Sequence, residues 1–161
     1  MSKSKKTTTK TEKELVVVPN LGKKNKNGAT NDASPNRTIE FVNQAISLGK
    51  EKVANAAIAR YEKKKKERLD SINKEGFDAF GLRKGSIPSM FHACLSTSPI
   101  TMKELQLKTS ERFEDEAERI LANTAYDALN LSHDLGLIGK QGKGLYFLFD
   151  DVAAKKTTKK K

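Results

Sequence analysis

The chain has 161 residues, with 31 Lys and Arg against 20 Asp and Glu, a formal charge of +11, and one Cys. That length leaves room for one domain plus tails, and a single Cys excludes an intrachain disulfide framework and fits a reducing compartment. No run approaches the roughly 18 apolar residues a membrane-spanning helix needs, and Leu15-Val16-Val17-Val18 is too short for the core of a secretory signal. The expected location is therefore intracellular, cytoplasmic or nucleic-acid-associated.

The charge is unevenly spread. Residues 1–37 hold nine Lys/Arg against three acids, residues 38–69 eight against four, and residues 150–161 five against two, whereas residues 111–149 hold four against seven. Basic charge so placed favours polyanions: DNA, RNA or an anionic membrane surface. The plainer alternative is a solubilising surface.

Residues 1–36, rich in Lys, Thr, Asn and Gly, cannot bury enough surface to offset the entropy of ordering, so a disordered basic tail is expected there. A second basic tail is expected at 151–161, where Lys155-Lys-Thr-Thr-Lys-Lys repeats the composition of the first. Between them, Ser34, Pro35 and Asn36 supply a helix start. Apolar residues at Ile39, Val42, Ile46, Val53, Ala57 and Tyr61 then predict a long amphipathic basic helix over 37–75, with Gly49 able to bend or split it. In that helix Lys63, Lys64, Lys65 and Lys66 fill a whole turn. They are candidates for gripping phosphates, or for pairing with Glu62 and Glu67 at helical spacing. The same helix, over 37–73, is a candidate surface for a homodimer or a protein partner. Residues 76–83 read as a linker in which Phe77 and Phe80 pin the helix to the domain beyond it.

The punctuation over 84–150 places three helices and a hairpin. Ser86 caps the first, with Pro88 in its first turn and Met90, Phe91, Cys94 and Leu95 as its apolar face. Thr101-Met-Lys-Glu104 is a capping box opening a second helix that ends near Lys108. Ser110 then caps a third helix of about 25 residues, along which Phe113, Ala117, Ile120, Thr124, Ala128, Leu131 and Leu135 form one stripe. Gly136 stops it. Leu137-Ile138, a turn over 139–144, and Leu145-Tyr-Phe-Leu-Phe149 make a hairpin.

On Pro99-Ile-Thr-Met-Lys-Glu-Leu105 and on the helix end and wing from Leu131 to Phe149, the chain resembles the winged helix-turn-helix superfamily. The resemblance implies a mostly α fold with a small β-hairpin over 84–150. Members of that superfamily commonly bind duplex DNA, but some bind RNA or act as protein-interaction modules. The turn carrying Lys140 and Lys143 would be the wing, and Asn123 and Asn130 would be candidate base readers, with Tyr126 and His133 also polar nearby. Two departures stand out: the length of the third helix, and the acids Glu111, Glu114, Asp115, Glu116 and Glu118 in its first half, set against only Arg112 and Arg119. Acids close to phosphate oppose binding. An alternative parse makes 111–121 a separate helix and starts the recognition helix near Asn123.

No metal, cofactor or catalytic residue is expected. His92 and Cys94 stand two apart on a helix and face different ways, and Gly142-Lys-Gly144 lacks the following helix of a phosphate loop. The expectation is a non-enzymatic nucleic-acid-binding protein of low sequence specificity, with DNA ahead of RNA and no membrane role. The alternative is a protein-interaction or accessory module that docks Glu111, Glu114, Asp115 and Glu118 on a basic partner.

Overall fold

A computed structural model describes residues 20–32 and 37–157. These residues are mostly helical, with one small three-stranded antiparallel sheet.

Helices α1 (Arg37–Ser47) and α2 (Glu51–Ser71) form a hairpin where one long helix over 37–75, bent or split at Gly49, was expected. Gly49, at φ +71°, sits in the left-handed region and ends α1 rather than bending it. The doubling back is rewarded by burial: Val42 and Ala45 of α1 meet Ala54 and Ile58 of α2. This core is thin and made largely of small side chains, so the hairpin leans on the rest of the protein. Arg68 supplies the tie, donating to the carbonyls of Phe80 at 2.5 Å and Ala128 at 3.3 Å and to Ser132 Oγ at 3.0 Å. Residues 76–83 form a packed turn. The Asp78 carboxylate accepts from the N–H groups of Phe80 and Leu82 and from Ser89 Oγ, and Phe80 is buried against His92.

Next come α3 (Ile87–Cys94), β1 (Ile100–Thr101), α4 (Met102–Arg112), a 3-10 turn (Glu114–Glu116), α5 (Ala117–Leu121), α6 (Tyr126–Asp134), β2 (Gly139–Gln141), β3 (Leu145–Phe147) and α7 (Asp150–Thr157). Ser86 caps α3, accepting from the Ser89 N–H, and the Thr101–Glu104 capping box opens α4. Phe91, Leu105, Ile120, Leu129 and Ile138 are fully buried at the centre of this unit. Each contributes roughly 1.5–3 kcal/mol relative to exposure. Leu135 ends α6, and Gly136 and Leu137 donate back to His133 O and Ser132 O in the double return of a Schellman turn.

The continuous third helix expected from Ser110 to Leu135 does not form. Helix α4 runs through Thr109 and Ser110, whose hydroxyls donate to carbonyls within it, Leu105 O at 2.6 Å and Leu107 O at 2.7 Å, instead of starting a new helix. The apolar stripe is then cut into three pieces on one core. The second cut falls at Asn123 and Thr124, where Gln106 Nε2 lies within hydrogen-bonding distance of the carbonyls of Ile120, Leu121 and Asn123. Those are carbonyls that a continuing helix would have bonded itself.

The sheet has the order β1-β3-β2, so the expected hairpin gains a third strand. Ile100 pairs Tyr146, and Lys140 pairs Tyr146 from the other side. Residues 20–32, part of the expected disordered tail 1–36, instead form a strap on the domain. Residues 1–19 and 33–36 lie outside the described residues. The strap holds because its asparagines bond the domain: Asn20 Nδ2 donates to Gly136 O, Asn25 Nδ2 to Thr97 O, and Asn27 Nδ2 to Thr97 Oγ1. Ala29 packs on Phe147 and Phe149. Composition counts asparagine as a loop former and misses this polar docking. Helix α7 likewise covers 151–157 of the expected C-terminal tail, and 158–161 lie outside the described residues.

Candidate nucleic-acid interface

The expected wing residues separate on folding. Lys143 is exposed in the β2–β3 turn. Lys140 is 6% exposed, on β2, with its Nζ donating to Asn130 Oδ1 at 3.2 Å. Burial lowers its pKa, against the opposing pull of Asp134. Lys140 is thus a buried strand residue bonded to Asn130, where a cation exposed near the wing tip was expected. The Asn130 side-chain oxygen also accepts from the Tyr146 hydroxyl at 2.9 Å, so that oxygen is committed to the interior. Asn123 is exposed beyond α5, and its backbone carbonyl is held by Gln106.

The lysine turn is divided in the same way. Lys63 and Lys65 pair with Glu67 and Glu62 at 3.8 and 3.4 Å, the helical-spacing pairs expected as the alternative. Lys66 is exposed. Lys64 turns toward α6 and lines a groove of about 300 Å³ with Arg37, Thr38, Tyr61, Asp127, Asn130 and Asp134. Its continuation along the hairpin adds Phe41, Ala57 and Arg60. Three cations thus stand on the hairpin wall, and the opposite wall is α6. Asp134 on that wall accepts from the Tyr61 hydroxyl and lies 3.6 Å from His133 Nδ1. Glu111, Glu114, Asp115 and Glu118 are exposed at the end of α4, in the 3-10 turn and at the start of α5, and they are absent from the groove lining.

Arg37, Phe41 and Arg60 were not singled out from the sequence as site residues, although a signal was present. Ala57, Arg60, Lys64 and Arg68 recur at steps of three and four, so one face of α2 continues in polar side chains beyond Tyr61, where the apolar stripe lapses. Arg37 was read only as the start of a helix.

Beneath the groove the polar groups are satisfied. His92 Nδ1 donates to Pro88 O and its Nε2 accepts from Ser132 Oγ, both at 2.8 Å. Ser132 Oγ in turn accepts from Arg68. Ser132 and His92 are both fully buried, so this Ser–His contact is closed to substrate and serves to lock α3, α6 and α2 together. Among the described residues no group of three or more His, Cys, Asp or Glu is placed to hold a metal ion, and no helix is long and apolar enough to cross a membrane. Comparison with family models, curated proteins and solved structures finds no match to the chain.

Proposed function

We propose that the chain is a non-enzymatic nucleic-acid-binding protein of low sequence specificity, working inside the cell, with DNA as its target ahead of RNA. The observation that carries this reading is the gathering of Arg37 and Lys64 in a groove against α6 and of Arg60 in its continuation along the hairpin, with the Lys143 turn one short strand beyond α6 in the chain. The order α3, β1, α4, α5, α6, β2, β3 supports a winged helix-turn-helix arrangement over 84–150, with the 3-10 turn and the short α5 inserted before α6. In this arrangement α6 is the recognition element and β2–β3 the wing. Glu111, Glu114, Asp115 and Glu118 belong to other elements, which leaves Asp127 as the one exposed acid on α6.

Affinity in this reading comes chiefly from counterion release. The test is fluorescence anisotropy of the full chain on labelled DNA across a salt series. Each phosphate contact removed, by Lys143→Ala or Lys66→Ala, should flatten the plot of log affinity against log salt by about 1. A slope near zero, or one that these substitutions leave unchanged, would sink the reading.

A second reading, a docking module, is favoured by Leu107 and Leu121, exposed by about half on the same α4–α5 pair that bears the acids. Reversing Glu114, Asp115 and Glu118 to Lys separates the two. DNA binding tightens under the first, and capture of a basic partner is lost under the second.

A further inference from the structure

Resting on the nucleic-acid reading, we infer that the groove between the α1–α2 hairpin and α6 takes a single-stranded segment of nucleic acid, its phosphates on Arg37, Arg60 and Lys64 and a base against the Phe41 ring. A positively charged track with an aromatic platform is the chemistry that holds single strands, because phosphates repeat along the backbone and every base has a face to stack. Both parts are present on one wall. Arg37 and Phe41 are four apart on α1 and so share a face, and Arg60 and Lys64 stand four apart on the neighbouring α2. Phe41 remains 48% exposed beside these cations, although Val42 next to it in the chain is buried in the hairpin core.

The opposite wall supplies a different chemistry. Asp127 is exposed and lines the groove, where its carboxylate can accept from the exocyclic amino group of cytosine or adenine. Asn130 lines the same wall with its side-chain oxygen already taken by Lys140 and Tyr146, which leaves Nδ2 to donate to a base acceptor. Asp134 is engaged by the Tyr61 hydroxyl. A strand therefore runs with its backbone along Arg37, Arg60 and Lys64, one base stacked on Phe41 in the hairpin stretch and a neighbouring base edge toward Asp127 and Asn130 where α6 forms the wall. A cavity of about 300 Å³ admits a nucleotide-sized group but not two backbones.

The experiment is fluorescence anisotropy of the full chain on one labelled strand, free and annealed to its complement, as DNA and as RNA. The wild type is compared with Phe41→Ala, Phe41→Trp, the double variant Arg60→Ala/Lys64→Ala, and Lys52→Ala near the other end of α2; thermal melts confirm that each is folded. Phe41→Ala should weaken single-strand binding about tenfold, with Phe41→Trp restoring it, and change duplex binding less than about twofold. The double variant should flatten the single-strand salt slope by about 1.4. Lys52→Ala should change neither. Equal losses on the free strand and the duplex, or no loss for Phe41→Ala, would overturn the inference while leaving the wider reading standing. Failure of the wild type to bind any of these nucleic acids would end both.

Discussion

The side-chain oxygen of Asn31 accepts from the backbone N–H of Lys140 at 3.0 Å, and the next residue, Asp32, donates its own N–H to Lys140 O at 2.8 Å. An asparagine side chain thereby imitates one backbone carbonyl of a fourth strand and closes the exposed edge of β2. The same oxygen accepts from His133 Nε2 at 3.0 Å, and Asn31 Nδ2 donates to Asn20 O. Asn31 is fully buried, so Asn31→Ala leaves two interior donors without partners. The expected destabilisation is about 2–4 kcal/mol. Denaturant unfolding measures it, and hydrogen exchange at the Lys140 amide localises it. An unchanged midpoint with an equally protected amide would show that the strap does not hold the edge.

Arg68 joins the hairpin to the domain through three acceptors on two separate segments. Its planar fork can serve all of them, whereas a lysine presents a point charge on a flexible stem. Both Arg68→Ala and Arg68→Lys should therefore lower stability, by roughly 2–3 kcal/mol and 1–2 kcal/mol respectively. If Arg68→Lys were as stable as the wild type by urea unfolding, charge alone would be sufficient and the fork geometry incidental.

The features legible in the sequence divide from the illegible ones on physical grounds. Local chemistry was legible: the Ser86 cap, the Thr101–Glu104 box and the Gly136 stop each depend on residues within a turn of one another, and each is present. Periodicity misled where two arrangements bury the same stripe. Phe113, Ile120 and Ala128 reach one core whether they stand on one helix or on three pieces, and only the reach of Gln106 across to α5 decides which. The strap was illegible because its asparagines act over long separations, Asn31 on Lys140 and Asn25 on Thr97, and composition carries no trace of a partner more than 70 residues away. The candidate groove was half legible: Lys64 was singled out, but the residues that meet it come from α1 and α6.

Gly139 faces Phe147 across the β2–β3 pair, and a side chain there would enter the Phe147 ring. The ring covers the bare glycine, a pairing that protects the strand where a residue has no side chain of its own. Gly139→Ala should cost about 2–3 kcal/mol by overpacking. Gly142, in the turn with φ +56° and open space around it, should lose only about 1 kcal/mol on the same change, from backbone strain. Thermal melts of the two variants compare the effects directly, and equal losses would contradict the close approach at Gly139.

Alkaline pH should act through Tyr146. Burial, with Tyr126 and Asp134 adding to it, holds its phenol well above the ordinary value of 10.0. The unfolded chain releases this proton first, so the stability it contributes is complete below pH 10.0 and falls as pH rises beyond it, by about 1.4 kcal/mol per unit. Lys140 works in the opposite sense. Its lowered pKa means that the folded state releases the proton first, and stability rises with pH up to 10.5. Tyr146→Phe keeps Lys140 and removes the phenol. It should be less stable than the wild type by about 1 kcal/mol at pH 8, from loss of the bond to Asn130. Above pH 10 that gap should close and then reverse. A gap that stays constant in urea unfolding from pH 8 to 11 would show that Tyr146 titrates normally in the fold.

The two lysines of the β2–β3 region should part company when each is replaced. Lys143 is exposed in the turn, so Lys143→Met should leave the melting temperature unchanged and flatten the salt dependence of DNA binding by about 1. Lys140 is buried with its ammonium on Asn130 and 5.8 Å from the Tyr146 ring centre. Lys140→Met keeps the length of the side chain and removes a charge that burial disfavours. Stability should then hold or rise by about 1 kcal/mol, because an apolar replacement of similar volume spares the desolvation of the ion. The salt slope should stay that of the wild type. A slope lowered by Lys140→Met as much as by Lys143→Met would mean that the β2 edge opens on nucleic acid and exposes Lys140, and the strap at Asn31 would be the element that moves.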